Sequence, residues 1–266
     1  MTKARVTVMK IGGSVITDKT TELTPRTQDI DRLADETQRA NVKDLIIVHG
    51  GGSFGHPAAQ RSAVKEGLKD QNRIMGFAET HHFMTVLNGL VMDSLITHEI
   101  PAVSITPSSC MVTEDGRIKD FEQTPMKMLL NMGFTPVLFG DAVPDVKLGF
   151  TVLSGDQITS TLATKLDAEH IIVGVDVDGL FECDPKTRPT AKMFSHLSMS
   201  DLGDLHAFAG RSTACDVTGG MLGKMKELLP ALERGIRITI VNAAKPGRIY
   251  NALKGESVEG TVIEKE

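Results

Sequence analysis

Short apolar runs alternate along this chain with longer stretches in which apolar residues recur every three or four positions. The runs at 6–11, 45–49, 102–106, 136–139, 150–153, 171–175, 237–241 and 261–263 are rich in Val, Ile and Leu. Several are continuous rather than alternating, which predicts strands buried on both faces of a parallel sheet. Helical spacing predicts helices near 25–40, 70–98, 125–132, 156–167, 219–234 and 247–254. In the longest, Ile74, Ala78, Met84, Leu87 and Val91 share one stripe, and Pro101 lies just beyond its end. Asp115-Gly116 predicts a hairpin turn flanked by Val112, Thr113 and Ile118. The βαβα rhythm implies an α/β fold, a three-layer α/β/α sandwich with a central, mostly parallel sheet. No Pro- or Ser-rich linker breaks the pattern, so one structural domain is expected, with lobes 1–166 and 167–266 sharing a continuous sheet.

Composition narrows the partners. The chain has 266 residues, no Trp, one Tyr and a net charge of −5, and no basic run. Base stacking and phosphate-backbone binding are therefore both poorly served, and no nucleic-acid partner is expected. Cys110, Cys183 and Cys215 form no CxxC pair, which argues against a disulfide framework and for a reducing, cytoplasmic compartment. The chain enters a strand pattern almost at once, which does not read as a secretory leader. No apolar run approaches the roughly 20 residues that would span a bilayer, so no membrane partner is expected.

The candidate chemistry sits at strand ends. Lys10-Ile11-Gly12-Gly13-Ser14 closes the first strand and runs on to Lys19. Glycines there let backbone N–H groups approach an anion, and two lysines could stabilise a transferring phosphoryl group. A plain tight turn with solvated lysines would read the same way. His49-Gly50-Gly51-Gly52-Ser53-Phe54-Gly55-His56 follows the second strand and satisfies GxGxxG. The dinucleotide reading fails on context, because the next segment is helical and no ribose-binding acid follows a second strand. Three successive glycines still form a nest for an anion, with His56 expected to open the next helix. His49, ending a buried strand, reads as a core residue.

Ser154-Gly155-Asp156-Gln157 marks a third strand-to-helix junction. Asp156 could cap that helix, or it could orient two ammonium groups. Asp176-Val177-Asp178-Gly179 forms a fourth, followed by Asp216-Val217-Thr218-Gly219-Gly220-Met221-Leu222-Gly223-Lys224. The latter is a phosphate cradle at a helix start, yet not a Walker A motif, since Thr stands at 218. Asp176 and Asp178 lack the further oxygens of a calcium loop, so no protein-held metal is expected.

Taken in order, the segments 10–19, 49–57, 154–157, 176–180 and 216–224 resemble the amino-acid-kinase superfamily, and within it the isopentenyl phosphate kinases of archaeal type. The resemblance spans essentially the whole chain. It implies ATP with Mg²⁺ as phosphoryl donor, isopentenyl phosphate as acceptor, a place in isoprenoid biosynthesis by an alternative mevalonate route, and a homodimer. It assigns the acceptor to the N-terminal lobe and the nucleotide to the C-terminal lobe. Residue by residue, Lys10, Gly12, Gly13 and Ser14 resemble the ATP-phosphate turn, and Lys19 the lysine that stabilises the transition state. Gly51 and Gly52 resemble the turn facing both phosphates, His56 the residue that holds the acceptor phosphate, and Gly155 its border. Asp156 resembles the carboxylate that positions Lys10 and Lys224. Asp176, Gly179, Gly219 and Lys224 resemble nucleotide contacts.

No carboxylate base stands beside the proposed acceptor turn, which suits a phosphate acceptor better than an alcohol. The acceptor's tail pocket is fixed by no motif; Phe77, Phe83, Met84 and Val86 are candidates to line it. A fosfomycin kinase, an acetylglutamate or uridylate kinase, and a nucleotide-binding sensor without turnover are the competing readings.

Overall fold

The computed structural model describes residues 6–183, 185, 187–202 and 221–266. Its strands are β1 (Thr7–Ile11), β2 (Leu45–His49), β3 (Ala102–Ser104), β4 (Met111–Glu114), β5 (Arg117–Phe121), β6 (Thr135–Phe139) and β7 (Asp141–Asp145). They continue with β8 (Gly149–Leu153), β9 (His170–Val175), β10 (Leu180–Phe181), β11 (Met193–Phe194), β12 (His196–Ser198), β13 (Arg237–Asn242) and β14 (Gly260–Glu264). The helices are α1 (Gly13–Ile16), α2 (Thr27–Ala40), α3 (Gly52–Arg61), α4 (Asn72–Thr97), α5 (Pro107–Cys110), α6 (Thr124–Asn131), α7 (Gly155–Lys165), α8 (Met221–Glu233) and α9 (Arg248–Lys254).

The central sheet runs β12-β14-β13-β9-β1-β2-β6-β3, with strands from both halves of the chain. β1 pairs in parallel with β2 on one side and β9 on the other, and only β13–β14 is antiparallel. Alternate residues of each strand feed opposite layers, as the pleat requires. Val8, Ile46, Val48, Ile171 and Val173 meet α7 and α8 through Ile158, Leu162, Met225 and Leu228. Met9, Ile11, Ile47, Ile172 and Val241 meet α2, α4 and α9 through Leu33, Leu87, Val91 and Ala252. Burial on both faces explains why these strands read as unbroken apolar runs.

The predicted 150–153 strand does not join this sheet. It forms β8 of a separate four-stranded sheet, β5-β4-β7-β8, which includes the predicted hairpin at Asp115-Gly116. Both turn residues have positive φ, 51° and 76°. Buried Asp145 anchors that sheet: burial alone would raise its pKa, yet amide donors from Gly116, Leu148 and Lys147 and the Thr113 hydroxyl hold it at about 2.

Candidate active site

Two glycine turns, at the carboxyl ends of β1 and β2, pack backbone against backbone. Gly50 N–H donates to Ile11 O at 2.9 Å. A Cβ on Gly13 would lie 2.2 Å from Gly52 N, and one on Gly52 would lie 2.0 Å from Thr17 Oγ1. Gly52 also has φ +48°, so its glycine is required twice over. Buried Thr17 staples the pair: its hydroxyl donates to Gly13 O at 2.7 Å and accepts from Ser53 N at 3.0 Å. Among the described residues, the amides of Gly13, Ser14, Gly51 and Gly52 have no protein acceptor. Gly12 differs from the expectation, because its amide is spent on Gly174 O at 2.8 Å and cannot also grip a phosphate.

Asp156 sits where these turns face α7. Ser154, not Asp156, caps that helix, its hydroxyl accepting from Gln157 N at 3.1 Å. The Asp156 carboxylate is thereby left to bridge two lysines, Lys10 Nζ at Oδ1 and Lys224 Nζ at Oδ2, each 2.9 Å away. Burial penalises its charge, but the two ammonium groups hold its pKa at about 2. Burial lowers the pKa of Lys10, Asp156 opposes that, and neighbouring Lys224 adds to it.

A cavity of about 130 Å³ joins these groups to the second turn. Lys10, His56, Asp156 and Lys224 line it, with Gly13, Gly51 and Gly155 among the backbone walls. Met84, Val152 and Leu153 are in the same lining, together with Thr80 and Asp141. His56 does not open α3; the helix starts at Gly52, so His56 stands in its second turn with its ring open to the cavity. Desolvation in the concave wall, then Lys224 and Lys10, lower its pKa, which favours the neutral imidazole in the empty site. Gly51 and Gly55 are small because Met84 lies against them; a Cβ at either would approach its sulfur within 2.8 Å.

Lys19 lies outside this lining. It is half-exposed, with Nζ 2.8 Å from Asp176 Oδ2, and Ser14 Oγ donates to Asp176 Oδ1 at 3.0 Å. Asp178 accepts from Asn242 and pairs with Lys245 at 2.8 Å. Gly179 is packed under β14, where a Cβ would meet Thr261 Oγ1 at 2.6 Å, so its need for glycine is a packing need. Gly219, with Asp216, Thr218 and Gly220, lies outside the described residues.

Of the proposed tail residues, only Met84 reaches the cavity. Phe77 packs on Phe150 in a satellite cluster, Phe83 joins the α4 core layer, and Val86 is 43% exposed. The spacing of α4 accounts for this, since Gly76, Thr80, Met84, Leu87 and Val91 are in its buried stripe. His49 is a core residue: fully buried, stacked on Phe139, bonded to Asn88, with burial lowering its pKa to about 4. Thr17, Thr80 and Asp141 escaped the sequence reading. Asp141 had a signal, for Phe139-Gly140-Asp141 repeats the pattern of a strand ending in glycine and a polar residue.

The sequence profile of the Amino acid kinase family matches residues 5–242. The isopentenyl phosphate kinase of Methanothermobacter thermautotrophicus is 40% identical, over 96% of this chain and 98% of its own length. That of Methanocaldococcus jannaschii is 35% identical over 97% of this chain and 98% of its own. A crystal structure of an isopentenyl phosphate kinase superposes with a TM-score of 0.87 at 36% identity, covering 97% of this chain and all of that one. A uridylate kinase from Ureaplasma parvum, 19% identical, shares the fold with a TM-score of 0.70.

Proposed function

This chain belongs to the amino acid kinase family, and from that premise we propose that it is an isopentenyl phosphate kinase, transferring the γ-phosphoryl of ATP to give isopentenyl diphosphate and ADP. The observation that carries this reading is one cavity lined by Lys10, Lys224 and His56 and also by the apolar Met84, Val152 and Leu153.

An acceptor phosphate has a second pKa of about 6 and is a dianion near pH 7, so it needs no strong base. It needs its repulsion from the donor cancelled and its oxygen held in line with the γ-phosphorus. Lys10 and Lys224 bring two positive charges against the one negative charge of Asp156, leaving a surplus that a phosphoryl group would neutralise. The amides of Gly13, Ser14, Gly51 and Gly52, without an acceptor among the described residues, lie on the two turns between which the phosphates would meet. His56, whose lowered pKa favours the neutral ring, would offer an N–H to the acceptor phosphate, and an arriving dianion would favour its protonation. Lys19, half-exposed and paired with Asp176, would leave that contact to meet the transferring group.

Mg²⁺ would enter with ATP on the nucleotide's own oxygens, because Asp156 and Asp176, the carboxylates beside the turns, are held by lysines. The nucleotide base and ribose fall to the C-terminal lobe near Asp176 and Gly179, and the acceptor to the N-terminal lobe. Homodimerisation is part of the same reading; Ile74, Met75, Val86 and Ile96 leave an exposed apolar face on α4 that a second copy could cover. No helix among the described residues is long and apolar enough to cross a membrane.

The apolar wall of Met84, Val152 and Leu153 favours a prenyl tail over the small polar body of fosfomycin. An ADP-release assay with isopentenyl phosphate, dimethylallyl phosphate and fosfomycin tests this. Isopentenyl phosphate should have the highest kcat/KM, and His56→Ala should lose most of it while ATP binding survives. Preference for fosfomycin, or unchanged kinetics in His56→Ala, would reject the respective assignment.

A further inference from the structure

The cavity lining includes a buried carboxylate, Asp141, which is an odd lining for an apolar guest. Asp141 opens β7 and is 1% exposed, yet it lines the same wall as Met84, Val152 and Leu153. Among the described residues three nitrogens face its two oxygens. His81 Nδ1 lies 2.9 and 3.1 Å from its two oxygens, Ala142 N donates at 2.8 Å and Ser108 N at 3.3 Å. Thr80 is also in the lining, and its hydroxyl proton is committed to Gly76 O at 2.8 Å. The carboxylate is therefore the group whose pairing most affects what a guest meets. Burial raises the pKa of Asp141, and the His81 contact is the largest influence opposing it.

We propose that His81 is a positioning residue for acceptor specificity: by holding both oxygens of Asp141 it turns a carboxylate-lined wall into one that accepts a hydrocarbon tail in preference to a hydroxylated one. The inference rests on the kinase reading above. His81 itself lies on α4 outside the cavity lining and acts only through Asp141. Without its N–H, a buried acceptor faces the tail unpaired. An apolar tail is then penalised, and a tail hydroxyl gains a partner.

The test compares His81→Asn, whose amide N–H stands where Nδ1 stood, with His81→Gln, whose amide stands where Nε2 stood, and with His81→Ala. Each is assayed with isopentenyl phosphate and with a hydroxylated alkyl phosphate of the same length. For His81→Gln and His81→Ala, KM for isopentenyl phosphate should rise roughly tenfold, with kcat and KM for ATP changing little. Selectivity for the prenyl over the hydroxylated acceptor should fall by at least that factor, and His81→Asn should recover most of it. If His81→Ala fails to fold, the Asn–Gln comparison decides alone. Unchanged selectivity in His81→Gln, equal damage in His81→Asn, or a parallel rise in KM for ATP would overturn the assignment. A wild type inactive on isopentenyl phosphate but active on another acceptor would overturn the functional reading, and this inference with it.

Discussion

Replacing Asp156 by Asn removes one charge from between two lysines and leaves the shape intact. At 2.9 Å and an effective dielectric of about 20, each contact is worth about 6 kcal/mol of Coulomb attraction before desolvation is subtracted. The net is much smaller. A folded pKa of about 2 against the ordinary 3.8 corresponds to about 2 kcal/mol of stability. Because that pKa is lowered, the contribution is present above the ordinary value and is lost as pH falls toward 2. The substitution costs more than this linkage figure, since it also leaves two ammonium groups adjacent, one of them 3% exposed. Breaking a buried pair in this way costs about 3–5 kcal/mol. For a chain of this size that is roughly 10 °C in Tm. Thermal melts at neutral pH, with and without ATP, provide the assay. The deficit should be largest without ligand and shrink when ATP phosphates supply the missing negative charge. In parallel, kcat should fall at least about 100-fold, because Lys10 and Lys224 lose their common reference point. A Tm within about 2 °C of wild type, together with unchanged kcat, would refute the reasoning.

Two further outcomes follow from geometry and burial. Gly13→Ala drives a Cβ to 2.2 Å from Gly52 N, so the two turns must part; a loss of about 1–3 kcal/mol in a urea melt and at least about 100-fold in kcat/KM is expected. Burial lowers the pKa of both His49 and His170 from 6.5 to about 4. Both stay neutral in the fold, so their stabilisation is present above pH 6.5 and is lost as pH falls toward 4; urea midpoints measured across that window should decline, and a flat profile would contradict their burial.

Much of the architecture was legible because it follows from local rules. Continuous apolar runs marked β1, β2, β9 and β13, and glycine at their ends marked the turns. The sequence could not reveal which sheet a strand joins. β8 carries the same apolar signature as the central strands, and its partner β7 contains Pro144, which hid it. The charged half of the site was visible as Lys10, His56, Asp156 and Lys224, because ion chemistry leaves few residue types to choose from. Its apolar lining was less legible: of the four α4 candidates only Met84 is in the lining. Apolar spacing along α4 did not distinguish the stripe that faces the core from residues nearby, and the true stripe includes Gly76, Thr80 and Asn88. Asp141 was missed because its role depends on His81, which is 60 residues away.

Pro57 lies inside α3 and has no N–H to give to the carbonyl of Ser53. That carbonyl is taken instead by Leu23 N at 3.2 Å, and Arg61, one turn further on, grips Glu22 at 2.7 Å. The segment carrying Lys19 is thus lashed to the helix that carries His56, and Thr17 ties its root to the same helix through Ser53 N. A tug on the histidine is a tug on the tether of the lysine, so the two residues proposed to flank the phosphoryl path share a single mechanical frame.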